Sequence, residues 1–364
     1  ALLVAGRLAR RQGDYGVARR QLQEALDLAR DTDPRTTVEA LAALAMMSHE
    51  SGDPRLASSM NEEALQTAKL LADDELVAVV LNNLAILAHS SGELARARAM
   101  YEETLALLRR LGERQFIAGV LSNLGMVARA QGDTSRARSL YEEAVSVYRD
   151  LGDAHELARC LAQLAALARD EGDNAGALAL YDESLAIQRA MGDRGGIAVS
   201  TYGLGQVRFR EGDTAAAKAC FEESLRIWTE LGHKTGVAAQ LLSLGAIAQR
   251  EAAHLEAANL HRRALEIFAD LGERNGAAQA LEGLAAALTG LGNHGAAARF
   301  LGAADSLREA VGVPIAETER ADHDAAVASC RGSLGAAQFS LAWSEGRELT
   351  LERAAQLALG QTLM

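Results

Sequence analysis

The sequence predicts an all-α fold built by repetition, and three observations lead there. A glycine recurs at Gly13, Gly52, Gly92, Gly132, Gly172, Gly212 and Gly292, with Ala252 at the one missing step; after a first interval of 39 residues every step is 40. A second glycine keeps the same period at Gly112, Gly152, Gly192, Gly232, Gly272 and Gly312, mostly after Leu or Met. Composition agrees: Ala, Leu, Glu and Arg dominate, aromatics make up 4% and there are three prolines, with few β-branched runs to make strands. Two independent punctuation series at one spacing define a solenoid, in which each unit buries its apolar face on its neighbours.

Residues 114–152 show the unit: two amphipathic helices, A and B, with Gly132 between them and Gly152 after the second. The middle glycine takes φ > 0 and closes helix A as its C′ residue. The residue after it is often Asp or Asn (Asp53, Asp133, Asp173, Asp213, Asn293) and is placed to N-cap helix B. Pro54 follows Asp53 as a first helical residue should. Small residues at Gly125, Ala128 and Ala137 let the two helices approach, and Tyr141 fills the gap beside them.

The pattern resembles the tetratricopeptide (TPR) family. Helix A carries Leu121, Leu124, Gly125 and Ala128 and helix B carries Ala137, Tyr141 and Ala144; neighbouring units give Leu81, Leu84, Ala85, Ala88, Ala97 and Tyr101, then Leu161, Leu164, Ala165, Ala168, Ala177 and Tyr181, then Leu204, Gly205, Ala217 and Phe221. The resemblance covers 1–312 as eight units. It implies a right-handed superhelical solenoid of antiparallel helix pairs. The unit departs from the family in length: 40 residues against about 34, which adds about 9 Å of helix. Long units of this kind are similar to those of kinesin light chains, spindle-orientation adaptors and large bacterial signalling ATPases and transcriptional activators.

Three places break the regularity. The first helix A starts at Ala1, about six residues short of a whole unit on the 40-residue repeat, with no initiator Met; it looks like a piece of a longer polypeptide, a trimmed product being the alternative. In the seventh repeat Ala252 replaces the turn glycine, where a left-handed conformation costs about 1 kcal/mol or more. His261 replaces the aromatic there, and Arg262-Arg263 replaces the acidic pair seen as Glu62-Glu63, Glu102-Glu103, Glu142-Glu143, Asp182-Glu183 and Glu222-Glu223. A docking site, a hinge and simple drift are all open readings. After Gly312 the repeats stop, and helices are predicted over 317–331, 334–345 and 350–359, making 313–364 a C-terminal cap. Phe339, Leu341, Trp343, Leu349, Leu351 and Leu357 are available to cover the apolar face of the last repeat. The run Leu301-Gly302-Ala303-Ala304-Asp305, Leu307-Arg308-Glu309, Leu334-Gly335, Ala342-Trp343 and Glu345-Gly346-Arg347 resembles the end of bacterial multidomain ATP-dependent regulators.

Charge and composition exclude several functions. A net charge of −12 lacks the basic face that nucleic acid requires. No apolar run approaches the roughly 18–20 residues of a bilayer span, and the N-terminus reads as a helix end in register with the later repeats, not a signal peptide. Cys160, Cys220 and Cys330 are odd in number and lack CxxC spacing, which reads as reduced core thiols in a cytoplasmic protein. No GxxxxGK[ST], HExxH or GxSxG occurs, so no catalytic constellation, cofactor or metal site is predicted. His49 and His89 occupy equivalent positions without a recurring third ligand and read as surface residues. One carboxylate per Gly-Asp turn is too few for calcium.

A binding surface is the remaining prospect. In TPR superhelices helix A lines the concave side; carried over by position, this gives Asn82, Ile86, His89, Ser122, Met126, Arg129, Arg159, Arg169, Tyr202, Gln206, Phe209, Arg210, Gln249 and Arg250. At its centre is a ladder of Arg129, Arg169, Arg210 and Arg250, the last two set one place further along, with Tyr202 and Phe209 among them. Arginine forks suit carboxylates and phosphates, and aromatics suit apolar or sugar faces. The expected partner is an acidic peptide, upstream domains of the same polypeptide, or an anionic or sugar-like inducer; the opposing reading is that these arginines pair with the array's own acids. The resemblance implies a non-catalytic sensor arm of a bacterial signalling ATPase or maltose-activator-like transcriptional regulator, with a free-standing peptide-binding adaptor as the alternative.

Overall fold

The structure is a computed structural model that describes residues 1–11, 13–315 and 317–360. Among the described residues there are nineteen α-helices and no strand. They group into two compact units, Ala1–Ile187 and Gln188–Met364, with the boundary inside α10 (Asn174–Met191).

The first unit holds α1 (Leu2–Arg11), α2 (Tyr15–Ala29), α3 (Pro34–Glu50), α4 (Pro54–Leu70), α5 (Asp74–Ser90), α6 (Leu94–Leu111), α7 (Arg114–Ala130), α8 (Thr134–Leu151) and α9 (Ala154–Asp170). Odd-numbered helices are the A helices and even-numbered ones the B helices. The junction of α7 and α8 shows why the chain turns so sharply. Gly132 sits at φ +78; its N–H donates to Arg129 O at 3.0 Å and that of Asp133 donates to Ala128 O at 2.9 Å, the paired bonds of a Schellman motif. The Asp133 carboxylate then accepts from Arg136 N at 3.1 Å and caps α8. The caps expected at Asp53, Asp173, Asp213 and Asn293 form in the same way. The same device also starts A helices at Asp33, Asp73, Asp153 and Asp193, which the sequence reading did not anticipate.

The helix-B aromatic acts as a wedge. Tyr141 is fully buried, and a Cβ at Gly125 would lie 2.8 Å from its ring, so glycine is required there for α7 to lie against α8. The equivalent contacts in the second unit are Gly205 on Phe221 and Gly245 on His261. The size of the wedge sets how closely successive A helices approach. Where it is Tyr101 or Tyr141, α5 and α7, or α7 and α9, barely touch; where it is Asn61, α3 packs directly on α5.

The second unit holds α11 (Arg194–Arg210), α12 (Thr214–Glu230), α13 (Lys234–Arg250), α14 (His254–Leu271), α15 (Arg274–Gly290) and α16 (His294–Val311), followed by α17 (Glu317–Leu334), α18 (Ala336–Arg347) and α19 (Leu351–Gly360). Phe339 and Leu351 are buried in the core of α14–α16, with Trp343, Leu349 and Leu357 packed against it. Leu341 does not join them: it is 63% exposed, because Phe339, Ala342, Trp343 and Gly346 form the face of α18 that meets α16, and Leu341 lies on the other side. Two glycines make that crossing possible. A Cβ at Gly302 would lie 2.2 Å from Trp343 O, and one at Gly346 would lie 1.9 Å from Arg299 O, so the two helices meet backbone to backbone. Arg299 clasps Glu345 at 2.6 Å, and Arg347 pairs with Asp305 and Glu309. Below them Arg308 forms a two-pronged, buried pair with Glu282, both bonds 2.6 Å; its geometry is the fork-to-fork kind that offsets the cost of burying charge.

Cys160 and Cys330 are buried, but Cys220 is only half-buried, so the expectation of three core thiols holds for two. The outer acids of the B helices are paired with arginines about one repeat earlier: Arg30–Glu63 at 2.6 Å, Arg109–Glu143 at 2.8 Å and Arg149–Glu183 at 2.6 Å in the first unit, and Arg189–Glu223 at 3.8 Å in the second.

Candidate interaction face on the A helices

On each A helix, positions spaced by four and then three residues fall on one face, opposite the packing with helix B. In the first unit this face carries Asn82, Ile86 and His89 of α5 and Met126 and Arg129 of α7, all half-buried. The Asn82 Oδ1 is buried without a hydrogen-bond partner. Next to it in sequence, Asn83 reaches Ala42 O and Asn61 Oδ1, both at 3.5 Å; it was missed because the sequence reading followed a single column. Ser122 corrects the expectation. It is wholly buried, beside Cys160, and lies in the core of the repeat rather than on the face. Burial lowers the pKa of His89 and favours the neutral ring.

Arg129 and Arg169 are half-buried, whereas Arg210 and Arg250, one residue further along their helices, are exposed; one residue is about 100° of helix rotation, so each pair points from a different part of its own helix. In the first unit both arginines converge on one acid. Arg129 Nε donates to Asp170 Oδ2 at 3.0 Å, and Arg169 donates to Oδ1 through Nε at 3.1 Å and Nη2 at 2.9 Å. Burial pushes the Asp170 carboxyl up, but the hydrogen bonds from Arg169 and Arg129 outweigh it and hold the carboxyl below its ordinary value. Arg159 likewise pairs with Glu156 at 2.9 Å. For these three arginines the internal-pairing reading describes what the structure contains.

The second unit presents an aromatic–amide cluster. Gln206 Nε2 donates to the Tyr202 hydroxyl at 2.8 Å, and the Tyr202 ring tilts against Phe221 at 5.7 Å. The Arg250 guanidinium lies over the Phe209 ring at 4.2 Å and donates to Phe209 O at 2.9 Å, a cation–π contact with its donor already oriented. Gln249 reaches Ala286 O at 3.4 Å and His254 Nδ1 at 3.3 Å. Arg210 is exposed at the end of α11. His261 is a buried, uncharged insert: burial lowers its pKa to about 4, its Nδ1 has no hydrogen-bond partner, and its ring packs on Gly245 and Gly283.

Among the described residues no group of three or more His, Cys, Asp or Glu is placed to hold a metal ion, and no helix is long and apolar enough to cross a membrane. The helix-pair repeats and the side-chain chemistry of the A-helix face define a protein-interaction repeat array. The tetratricopeptide repeat profile matches residues 36–110, 116–190 and 196–270, more than half of the chain, and the chain belongs to that family. No curated protein sequence matches it at a significant level. Among solved structures it is similar to BtubC (BKLC) from P. vanneervenii, at 27% identity with a TM-score of 0.52 over 59% of this chain and 89% of that one. It also shares its fold with a Rap protein complexed with competence and sporulation factor, at 15% identity and a TM-score of 0.69 over 98% of both chains. The apo form of RapI is similar at 14% identity, with a TM-score of 0.60 over 75% of this chain and 98% of that one.

Proposed function

We propose that this chain is a non-catalytic regulatory module that receives a peptide or a segment of a partner protein on its A-helix face. The observations that carry this reading are partly exposed side chains on the A helices of each unit taken by itself: Asn82 and Met126 in the first, and Tyr202, Gln206 and the stacked pair Phe209–Arg250 in the second. Amide, aromatic and guanidinium groups together suit an extended peptide, whose backbone and acidic side chains they can bond. Because Arg129 and Arg169 already hold Asp170, an incoming carboxylate meets Arg250, exposed over Phe209, more readily than the first pair. The Rap complex supplies a precedent for the fold alone.

The test places an arginine on the face, as Met126→Arg and separately Tyr202→Arg, beside a B-helix control, Glu142→Arg. Partners recovered with the wild-type chain are expected to be lost from the first two and kept by the third. Retention by all three would refute the face as the binding surface. The finer reading, a C-terminal sensor arm of a bacterial signalling ATPase or transcriptional regulator responding to an anionic or sugar-like inducer, rests on the resemblance over 300–359. A free-standing cytoplasmic adaptor is the alternative. The size of the native polypeptide and the sequence upstream of Ala1 separate the two: a P-loop upstream supports the sensor arm, and a native chain of about this length defeats it.

A further inference from the structure

The irregular seventh repeat bears a second candidate site, at the start of its B helix. An open depression of about 810 Å³ lies along the first turns of α14 and is closed at one edge by Leu291. Its lining includes Ala252, Ala253, His254, Leu255, Arg263 and Leu291, together with Glu256, which pairs with Lys218 at 4.0 Å. Five of these depart from the repeat together. Ala252 and Ala253 stand where other repeats have a glycine and an acid, as in Gly132-Asp133 and Gly212-Asp213. Leu255 replaces the small or polar residues Ser135, Ala175 and Ala215, and Leu291 replaces the polar residues Ser51, Ser91, Gln131, Glu171, Glu211 and Glu251. Arg263 replaces the glutamate of the outer ion pairs, Glu143, Glu183 and Glu223.

Ala253 packs against the core, but the other changes serve nothing visible in the fold. Ala252 is held at φ +56, a conformation other repeats give to glycine, and Ala253 caps α14 with no side-chain bond. Leu255 is 51% exposed and Leu291 39% exposed. By the register of Arg109–Glu143, Arg149–Glu183 and Arg189–Glu223, the residue facing position 263 is Thr229, whose hydroxyl bonds its own helix at Leu225 O. Arg263 is exposed and has no ion pair among the described residues. A chain of net charge −12 therefore carries here, beside exposed leucines, an arginine that no acid of its own pairs, while the nearby Glu256 is held by Lys218. An open depression cannot enclose a small molecule as ligand cavities do, but it can seat one large side chain of a peptide, with a neighbouring carboxylate on the arginine.

We propose that this depression is a docking site for a partner-protein segment that presents a large apolar side chain next to a carboxylate. The depression shares no lining residue with the A-helix face, and the test separates them. Random peptides displayed on phage are selected on the full chain, with the double variant Arg263→Glu, Leu291→Glu as counter-selection. Both changes restore the residue type of the other repeats, and a thermal melt checks that the variant folds. The expected outcome is enrichment of peptides pairing Leu, Phe or Trp with Asp or Glu. Each should lose about tenfold or more in affinity to Arg263→Glu alone, and Lys-for-acid versions of the same peptides should recover on that variant. No enrichment over the double variant, or peptides that bind wild type and variants equally, would overturn the proposal; the latter result leaves the A-helix face untouched.

Discussion

The fourth and seventh repeats are built to one plan and differ at its centre. Both set a glycine of helix A against a helix-B ring, Gly125 against Tyr141 and Gly245 against His261. In the fourth, the tyrosine keeps α7 and α9 apart; in the seventh, the smaller imidazole lets α13 pack directly on α15, and Gly283 completes the fit against the same ring. One side chain per repeat thus decides how widely neighbouring A helices, and the groups they carry, are spaced. The difference also extends to polarity: the imidazole is buried with an unpartnered nitrogen and its pKa is lowered by burial, so the seventh repeat's core is expected to respond to pH.

Removing the wedge should have the largest effect. Tyr141→Ala leaves a cavity among the helices it separates and is expected to cost about 3–5 kcal/mol, measured by urea denaturation. Second comes acid sensitivity. His261 has its folded pKa lowered to about 4 by burial, against about 6.5 when unfolded. The unfolded chain therefore binds the proton first, so stability from this residue is intact above about pH 6.5 and falls by about 1.4 kcal/mol per pH unit down to about pH 4. His261→Phe should remove that slope from a stability–pH curve; an unchanged slope would show that the ring is not the group responsible. Third, Ala252→Gly relieves a left-handed alanine and should raise stability by about 1 kcal/mol, seen as a higher melting temperature, whereas Gly132→Ala at the equivalent turn should lower it by a similar amount. The smallest effect concerns the outer pairs: Thr229→Arg with Arg263→Glu rebuilds the exposed bridge and should contribute less than about 1 kcal/mol, read from a double-mutant cycle.

Period, turns and caps were legible because each depends on a few residues close together. Gly132 and Asp133 specify their junction almost alone. The cap was legible in outline for the same reason, with Phe339 and Leu351 buried as expected. What failed depended on rotation. Leu341 and Ser122 each sit within a residue or two of positions that do what was expected of them, and on a helix that offset changes the face. The role of Asp170 was hidden because its two partners come from helices 40 residues apart in sequence. Gly302 and Gly346 stood out as part of a sequence pattern, but only the crossing of two backbones explains why neither tolerates a side chain.

The turn between α7 and α8 has a further consequence. Asp133 both finishes one helix and begins the next, so the joint has no spare residue. Adding or deleting one there would swing the following helix by about 100° and turn its apolar stripe to water. A lineage carrying such joints can lengthen or shorten its array only by whole repeats, which keeps insertions out of the turns and confines divergence to the identity of side chains. Length in such a protein is quantised, and novelty has to be written as substitutions on a fixed lattice.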